Sequence, residues 1–284
     1  MEKIEIESPS KVNIGLNVIE KRDDDYHNLE TVFYPLLLSD NLTFQKSNQF
    51  AFLSNSEILN KLDNNLITKA IRLLEKKIAI EIKVSIFIKK IIPFGGGLGG
   101  GSSNAAATLK AINKLFQLEL SNEYLVEIAL ELGSDVPFFL HPIPSYAESR
   151  GEKLFPINFE IQYPILIVNP GINISTSWAF ERVKPLRPEY NLRGVFDEQK
   201  IDFNIMKSYV KNDFESIVFK DYPQIKKIKE ELYEKGAKFA LMSGTGSTVY
   251  GIFSNLQKAF RAEEYFRQSY FTYLNNPFDK GSIT

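Results

Sequence analysis

Residues 93–103 read Pro-Phe-Gly-Gly-Gly-Leu-Gly-Gly-Gly-Ser-Ser, with glycine at six of the seven positions 95–101. Glycine loses more conformational freedom on folding than any other residue, so such a run is costly unless the backbone requires it. An ordinary turn between a strand and a helix needs only one or two glycines. We therefore expect a binding role for residues 93–103, which we call the glycine loop.

The sequence on either side of the glycine loop predicts a strand before it and a helix after it. Between residues 80 and 92, apolar residues occupy every second position, at Ile80, Ile82, Val84, Ile86 and Ile88. Beyond the loop, Leu109, Ile112 and Phe116 form an apolar stripe at helical spacing. This order directs main-chain N–H groups and the positive end of a helix dipole to one point, which favours phosphate.

Three known patterns compete for the glycine loop. A Walker A loop requires Lys and then Ser or Thr after its last glycine, but Ser102 follows Gly101 directly. The dinucleotide-binding pattern G-x-G-x-x-G fits Gly95, Gly97 and Gly100, although no second strand with a ribose-binding acid follows. A protein-kinase loop also fits three glycines, but no His-Arg-Asp or Asp-Phe-Gly motif follows. Phosphate binding is favoured, and the loop alone leaves the superfamily open.

Composition narrows the class of protein. The chain has 284 residues, 44% hydrophobic and 24% charged, which is typical of a soluble globular protein with room for two domains. A net charge of −1 argues against a general nucleic-acid binder. The lack of cysteine excludes disulfides, thiolate nucleophiles and Cys-ligated metals, and His27 and His141 alone do not predict a histidine-rich metal centre. Without an apolar leader or a run long enough to span a membrane, we expect a cytoplasmic protein that binds no membrane.

The first half of the chain shows strand and helix signals around the loop. Apolar alternation predicts strands near Ile4–Ile6, Val12–Val18 and Val32–Leu38, and a helix is predicted at 65–77. A further helix should be capped by Ser121 and ended by Gly133.

The second half predicts a different pattern. It reads as a strand at 165–168, a helix near 177–183, a long polar connection at 184–202, a helix before Gly236, strands near 238–242 and 247–253, a helix at 256–268 and a last short strand. This order, roughly β-α-α-β-β-α-β, suits a small α+β sandwich. We predict a boundary near residue 155, giving domains at 1–155 and 156–284.

A second glycine-rich segment, Ser243-Gly244-Thr245-Gly246-Ser247-Thr248, lies between the late pair of strands. Taken alone, a plain hairpin turn explains it better than a binding role. Together with the glycine loop, it favours a position near an anionic substrate.

Three segments now occur in a particular order: Ser8-Pro9-Ser10-Lys11-Val12-Asn13-Ile14-Gly15-Leu16, the glycine loop, and Met242-Ser243-Gly244-Thr245-Gly246-Ser247. They resemble the three motifs of the GHMP kinases, named for galactokinase, homoserine kinase, mevalonate kinase and phosphomevalonate kinase. The Tyr26-His27 pair and Gly133-Ser134-Asp135-Val136-Pro137-Phe138-Phe139 extend the match, which covers nearly the whole chain. The combination is specific, although each motif alone is not.

The resemblance implies an ATP-dependent kinase that phosphorylates a hydroxyl of a small cytidylyl substrate, with Mg²⁺ as a further cofactor. It assigns catalysis to Lys11 and Asp135. It assigns the ATP phosphates to Pro93, Phe94, Gly95, Gly96, Gly97, Leu98, Gly99, Gly100, Gly101, Ser102 and Ser103. Substrate contacts fall on Asn13, Tyr26, His27, Thr176, Phe180, Gly244, Thr245 and Gly246, and no protein ligand of the metal is assigned.

The resemblance also implies the architecture. We expect an α+β protein with an N-terminal domain like the second domain of ribosomal protein S5 and a ferredoxin-like C-terminal domain. The expected state is a monomer or weak homodimer. Three residues depart from the family pattern, because Asp25, Pro142 and Ser149 stand where glycine is usual.

Several of these residues also have structural explanations. Lys11 could be a solvated strand lysine, Asp135 a helix cap, and Tyr26-His27 a packed aromatic pair. Other functions stay open as well: a mevalonate-like or homoserine-like kinase, or a nucleotide-binding module without catalysis. Only the cytidylyl substrate contains a base, so a kinase that acts on it needs an aromatic residue on which the base can stack.

Overall fold

The computed structural model describes residues 2–62, 65–196 and 201–279, which form ten strands and ten α-helices. In chain order they are β1 (Lys3–Lys21), β2 (His27–Lys46), β3 (Ala51–Ser54), α1 (Glu57–Asn60), α2 (Leu66–Ile78), β4 (Val84–Lys89), α3 (Gly100–Phe116), α4 (Asn122–Leu132), β5 (Ser145–Ser149), β6 (Lys153–Pro156), β7 (Ile165–Asn169), α5 (Thr176–Arg182), α6 (Leu192–Phe196), α7 (Phe203–Tyr209), α8 (Glu215–Asp221), α9 (Pro223–Glu234), β8 (Ala237–Met242), β9 (Val249–Phe253), α10 (Leu256–Phe266) and β10 (Phe271–Asn275).

The chain divides into two compact units by its internal contacts. The first unit contains Met1–Ser10, Leu38–Ile92 and Gly99–Pro142, and the second contains Lys11–Leu37, Pro93–Leu98 and Ile143–Thr284. Strands β1 and β2 therefore contribute residues to both units. This division follows the packing of the chain, which passes from one unit to the other five times. It does not test a single domain boundary along the sequence, so the boundary near residue 155 stays a prediction.

In the first unit, helices cover a short sheet. Strand β3 pairs parallel with β4, and β4 pairs antiparallel with residues 41–46 of β2. Side chains of β4 alternate between buried and exposed, as the apolar period predicts. Helix α3 packs against α2 and α4. Predicted caps are confirmed at α4, where Ser121 accepts the N–H of Tyr124 and Gly133 ends the helix.

Three predictions for the first half need correction. The two earliest strand signals belong to one continuous strand, β1, because the polar Ser8, Ser10 and Lys11 between them are buried in it. The strand predicted over 80–92 is shorter, since its pairing with β2 begins only at Val84. Helix α3 begins inside the glycine loop, at Gly100, rather than after it.

In the second unit, a four-stranded antiparallel sheet has the order β10-β7-β9-β8. Counted from β7, this is the order 4-1-3-2, and helices connect the first strand to the second and the third to the fourth. That arrangement agrees with the predicted ferredoxin-like sandwich. Its core is built from buried residues of the sheet and helices, among them Leu166, Val168, Ile228, Leu232 and Phe253.

The second unit also contains elements that the sequence analysis did not predict. Residues 29–33 of β2 pair antiparallel with β5, which pairs antiparallel with β6. The predicted long connection at 184–202 contains helix α6, whose Leu192 and Phe196 are buried. Residues 197–200 of that connection lie outside the described residues. Over the described ranges, no helix is long and apolar enough to cross a membrane.

Candidate functional site

Lys11 and Asn13 lie two residues apart in β1, within the second unit, and their side chains contact each other. The Lys11 Nζ donates to Asn13 Oδ1 at 2.5 Å and lies 4.8 Å from the centre of the Phe33 ring. Both residues are almost fully buried, with 3% and 2% of their surface exposed. Lys11 is therefore not the solvated strand lysine that composition alone would suggest. Asn13 Nδ2 donates in turn to Thr31 Oγ1 at 2.9 Å, which fixes the orientation of the amide.

Ser243 connects two of the predicted motifs in the second unit. Its hydroxyl accepts the backbone N–H of Asn13 at 3.1 Å and donates to the carbonyl of Gly97 at 2.8 Å. The Tyr250 hydroxyl donates to the Asn13 carbonyl at 3.2 Å, so the Asn13 backbone is held on both sides. The motif in β1, residues of the glycine loop and the second glycine-rich segment thus meet around Asn13.

Residues 93–98 of the glycine loop belong to the second unit and are packed closely there. Gly97 has φ +74°, and a side chain at this position would collide with the carbonyl oxygen of Ser243. Thr248 donates its backbone N–H to the carbonyl of Gly96 at 3.2 Å, and Leu98 is buried. The Lys11 N–H donates to the carbonyl of Leu98 at 3.0 Å. Pro93 is half-buried, whereas Phe94 is exposed.

Residues 99–103 belong to the first unit and begin helix α3. Gly99 occupies the N-cap with φ +71°, and no side chain of the described residues caps the helix there. The first-turn N–H groups of Gly100, Gly101 and Ser102 are therefore free of side-chain caps, as phosphate binding at a helix N-terminus requires. Ser103 faces inward, where its Oγ lies 2.7 Å from Ser8 Oγ.

Asp135 lies in the first unit, in the turn between α4 and a 3₁₀ turn at Pro137–Leu140. It is half-buried and lies two residues after Gly133, which ends α4. Because Asp135 and Lys11 belong to different units, their pairing at one phosphorus atom stays a prediction.

An aromatic cluster in the second unit contains two of the predicted substrate residues, His27 and Phe180. The rings of His27 and Phe180 lie 5.1 Å apart and tilted by 30°, and Phe180 packs edge-on against Phe214 at 4.9 Å. Thr176 is exposed one helical turn before Phe180 on α5. Burial lowers the pKa of His27 below its usual value, and the nearby Lys21 charge adds to the effect. His27 is therefore neutral at neutral pH and offers an uncharged ring edge.

Tyr26 differs from its neighbour, because its side chain is 53% exposed. The Arg150 guanidinium lies over its ring, 4.7 Å from the centre. One face of the ring that was expected to receive a base is therefore occupied by a cation, and the role of Tyr26 stays a prediction.

Asn212 holds the backbone of the second glycine-rich segment by hydrogen bonds. The sequence analysis did not single out this residue. Its amide donates to the carbonyls of Met242 and Gly244, both at 2.8 Å. Gly244 and Gly246 have φ +56° and +92°, and Thr245 between them is half-buried. A Cβ on Gly244 would lie 3.3 Å from Asn13 Oδ1, which places this segment beside the Lys11–Asn13 contact.

The structure adds residues to the site that sequence reasoning missed. Ser243, Thr31 and Asn212 are all buried and hydrogen-bonded to predicted site residues or their backbone. Ser243 had a signal, since it opens the Ser-Gly-Thr-Gly-Ser segment. Thr31 and Asn212 had none, because isolated polar residues in strands and loops have no periodic pattern.

One cavity of the second unit lies away from this site. A cavity of about 560 Å³ in the second unit is lined by residues such as Glu20, Arg22, Glu30 and Arg187, and by none of the predicted site residues. Its mixed charges favour no particular ligand. Within the described ranges, no group of three or more His, Asp or Glu side chains could hold a metal ion.

Two departures from the family pattern keep the backbone that glycine would have. Asp25 and Ser149 both adopt φ +64°, the left-handed region that glycine occupies without strain. The Arg22 guanidinium donates to Ser149 Oγ at 3.1 Å, and Lys21 forms an exposed ion pair with Asp25 at 2.9 Å. Both residues thus adopt a backbone conformation that suits glycine, although neither is glycine.

The chain is similar in sequence to known domains and to known proteins. The sequence model of the GHMP kinases N terminal domain matches residues 65–142, and that of the GHMP kinases C terminal matches residues 198–272. A 4-diphosphocytidyl-2-C-methyl-D-erythritol kinase of Bacteroides fragilis is 42% identical over 255 residues, covering 88% of this chain and 92% of the relative. The enzyme of the same name from Chlorobium phaeobacteroides is 39% identical, covering 98% of this chain and 99% of the relative.

Solved structures give the same result at the level of the fold. A crystal structure of 4-(cytidine 5'-diphospho)-2C-methyl-D-erythritol kinase matches with a TM-score of 0.80 and 30% identity, covering 95% of this chain and 98% of that one. Homoserine kinase from Cytophaga hutchinsonii matches with a TM-score of 0.67 at 15% identity, covering 97% of this chain and 95% of that one. The similarity to homoserine kinase shows a shared fold alone.

Proposed function

The chain belongs to the GHMP kinases, and from that membership we propose that it transfers the terminal phosphoryl group of ATP to the 2-hydroxyl of 4-diphosphocytidyl-2-C-methyl-D-erythritol. The relatives of that name that match nearly the full chain support the substrate. The structural observation that carries the proposal is the contact of His27 with Phe180, with Thr176 one turn away on the same helix. A flat ring pair beside hydrogen-bonding groups suits a pyrimidine base, which the other GHMP substrates considered do not contain.

The glycine loop fits the phosphates of a nucleotide. Gly97 is packed where no side chain fits, and the first turn of α3 has no side-chain cap from the described residues. The N–H groups of Gly100, Gly101 and Ser102 can therefore donate to phosphate oxygens and replace the water that solvates them. Such backbone donors need no rearrangement during the reaction, so they also stabilise charge that develops on the transferring group.

Lys11 and Asp135 complete the proposed chemistry. The bond from the terminal phosphorus to the bridging oxygen of ADP breaks while a bond to the substrate oxygen forms. Asp135 accepts the proton of that attacking hydroxyl, and Lys11 compensates the negative charge of the phosphoryl group. Asn13 Oδ1 holds the Lys11 ammonium and so directs it, because the Asn13 amide is itself fixed by Thr31.

We infer that Mg²⁺ would bind together with the nucleotide, whose phosphate oxygens are the kind of ligand that it prefers. When bound, Mg²⁺ neutralises charge on the phosphates.

The experiment that tests the function measures ADP release with three alcohols in turn: the cytidylyl methylerythritol, mevalonate and homoserine. We expect turnover with the first alone. Turnover with only the other two would overturn the substrate and keep the fold. ATP binding without turnover on any of them would show a nucleotide-binding module instead.

A variant tests the base-binding part of the proposal. Stacking of a base on an aromatic residue is worth about 1–3 kcal/mol, so Phe180→Leu should raise the KM of the cytidylyl substrate on the order of 5- to 150-fold while the KM of ATP changes little. Trp178→Leu is the matched control, because Trp178 lies on the same helix but packs against Tyr222. An equal rise in both variants would contradict a specific role for Phe180.

A further inference from the structure

The three residues between β4 and the glycine loop, Lys90, Ile91 and Ile92, are held by side chains rather than by a neighbouring strand. We call them the lead-in segment. The Lys90 N–H donates to Asn55 Oδ1 at 2.7 Å. The N–H groups of Ile91 and Ile92 both donate to one oxygen, Asp40 Oδ1, at 2.7 and 2.8 Å. Three consecutive backbone donors are thus fixed by side chains immediately before Pro93.

The Asp40 carboxylate is buried together with a lysine of the same segment. The Asp40 side chain is fully buried, the Lys90 side chain is 6% exposed, and Asp40 Oδ2 lies 2.9 Å from Lys90 Nζ. The Lys90 ammonium also donates to the carbonyl of Ile92, which closes the segment on itself. Burial lowers the pKa of Lys90, and the Asp40 charge opposes that shift. A buried ion pair of this kind adds little net stability compared with apolar residues, so its geometry calls for another explanation.

The same group also contacts the helix that follows the loop. A Cβ placed on Gly100 would lie 3.3 Å from Lys90 Nζ and 3.0 Å from Ile92 Cγ2. The lead-in segment and the first residue of α3 therefore pack against each other inside the first unit. Residues 93–98 follow Ile92 and lead back to the start of α3 at Gly100. Because Ile92 and Gly100 are both held in place, the start and the end of the loop are fixed as well.

We propose that Asp40 is a positioning residue for nucleotide binding: its Oδ1 fixes the N–H groups of Ile91 and Ile92 and thereby sets the start of the glycine loop. Lys90 balances the charge of Asp40 and joins the lead-in segment to α3, and Asn55 fixes the segment one residue earlier. None of the three needs to touch the nucleotide. The inference rests on the proposed function, because it assumes that the glycine loop binds ATP.

Two double variants separate the anchor from the charge. Both D40N/K90M and D40A/K90M remove the ion pair, but only the first keeps an oxygen that can accept the N–H groups of Ile91 and Ile92. We expect D40N/K90M to leave the KM of ATP unchanged and D40A/K90M to raise it at least tenfold. The KM of the cytidylyl alcohol should change less than twofold in both.

The outcomes are distinguishable from a failure of the function itself. If the wild type shows no ATP-dependent turnover of the alcohol, the proposed function fails. If the wild type is active and the two double variants have the same KM for ATP, Asp40 does not position the glycine loop. The affinity for ADP, measured by calorimetry, gives a readout that does not depend on turnover, and it should follow the same order.

Two further variants cover loss of folding and general loss of stability. Asn55→Ala changes an exposed residue and removes the acceptor of the Lys90 N–H, so it should fold and raise the KM of ATP about threefold; an unchanged KM would contradict the proposal. Lys229→Met is the matched control, because it breaks a partly buried ion pair with Glu215 in the second unit, at 2.6 Å. It should lower the melting temperature and leave the KM of ATP unchanged. A rise in the KM of ATP in this control equal to that in D40A/K90M would show that lost stability alone explains the effect.

Discussion

The backbone N–H of Asn13 donates to the hydroxyl of Ser243 across 230 positions of sequence, and the same hydroxyl donates to the carbonyl of Gly97. One buried oxygen therefore connects the strand that holds Lys11 with the glycine loop. All three groups lie within the second unit. Ser243 is thus a structural centre of the proposed site although it touches no substrate atom in our proposal.

Replacing this serine should damage nucleotide binding. Ser243→Ala leaves the Asn13 N–H and the Gly97 carbonyl without their partner, and a buried polar group left unpaired costs about 1–3 kcal/mol. We expect a lower melting temperature and a KM for ATP raised at least fivefold. Ser247→Ala is the matched control, because Ser247 is equally buried but donates to the carbonyl of Ile172. A KM for ATP that rises equally in both variants would contradict the bridging role.

Asp135 should matter for the rate rather than for binding. Asp135→Asn keeps the shape of the side chain and removes its ability to accept a proton, and a positioned base contributes about 10²- to 10⁴-fold. Turnover measured by ADP release should fall within that range, with the melting temperature and the affinity for ADP unchanged. Asp221→Asn, at an exposed position ending α8, is the control and should keep full turnover. If turnover falls less than tenfold in Asp135→Asn, Asp135 does not act as the base.

The acid sensitivity of the protein should depend in part on His27. Its pKa in the folded state lies below the usual 6.5, so the fold favours the neutral ring. The stability that this provides is complete above pH 6.5 and is lost as the pH falls from 6.5 through the folded pKa. The free energy of unfolding should therefore decrease on acidification, and less so in His27→Gln.

A direct titration can check the sign of this shift. The chain has only two histidines, His27 and His141, so His141→Gln leaves a single imidazole signal for NMR. We expect its midpoint below pH 6.5. A midpoint at or above 6.5 would mean that burial does not control the titration of His27.

The end of α2 offers a test of local backbone strain. Ala79 follows the last helical residue with φ +54°, a left-handed conformation that costs a residue with a Cβ about 1–2 kcal/mol. Glycine avoids this cost but gives the unfolded chain more freedom. Ala79→Gly should therefore raise the free energy of unfolding by about 0.5–1 kcal/mol.

The control for this variant lies inside the same helix. Lys69 is exposed in α2 and has ordinary helical surroundings, so Lys69→Gly should lower the free energy of unfolding by about 0.5–1 kcal/mol. Urea denaturation of both variants measures the two changes. Destabilisation by both would show that the left-handed conformation at Ala79 carries no strain.

Local patterns in the sequence were sufficient for much of the fold. The alternation at Val84, Ile86 and Ile88 predicted β4, and Ser121 and Gly133 marked the two ends of α4. These features depend on the period of a strand or on the caps of a helix, which involve residues close in sequence. The element order β-α-α-β-β-α-β suited a small α+β sandwich, whereas the order of the four strands in the C-terminal sheet was established by the structure.

The sequence by itself determined that the chain has a glycine loop between a strand and a helix, since glycine content and apolar period are properties of neighbouring residues. Only the tertiary structure decided how that loop is held. Asp40 binds the N–H groups of residues 51 and 52 positions away, and Ser243 reaches Gly97 across 146 positions. Such contacts depend on which side chains the strands and loops bring within about 3 Å of each other. No local spacing in the chain encodes that distance.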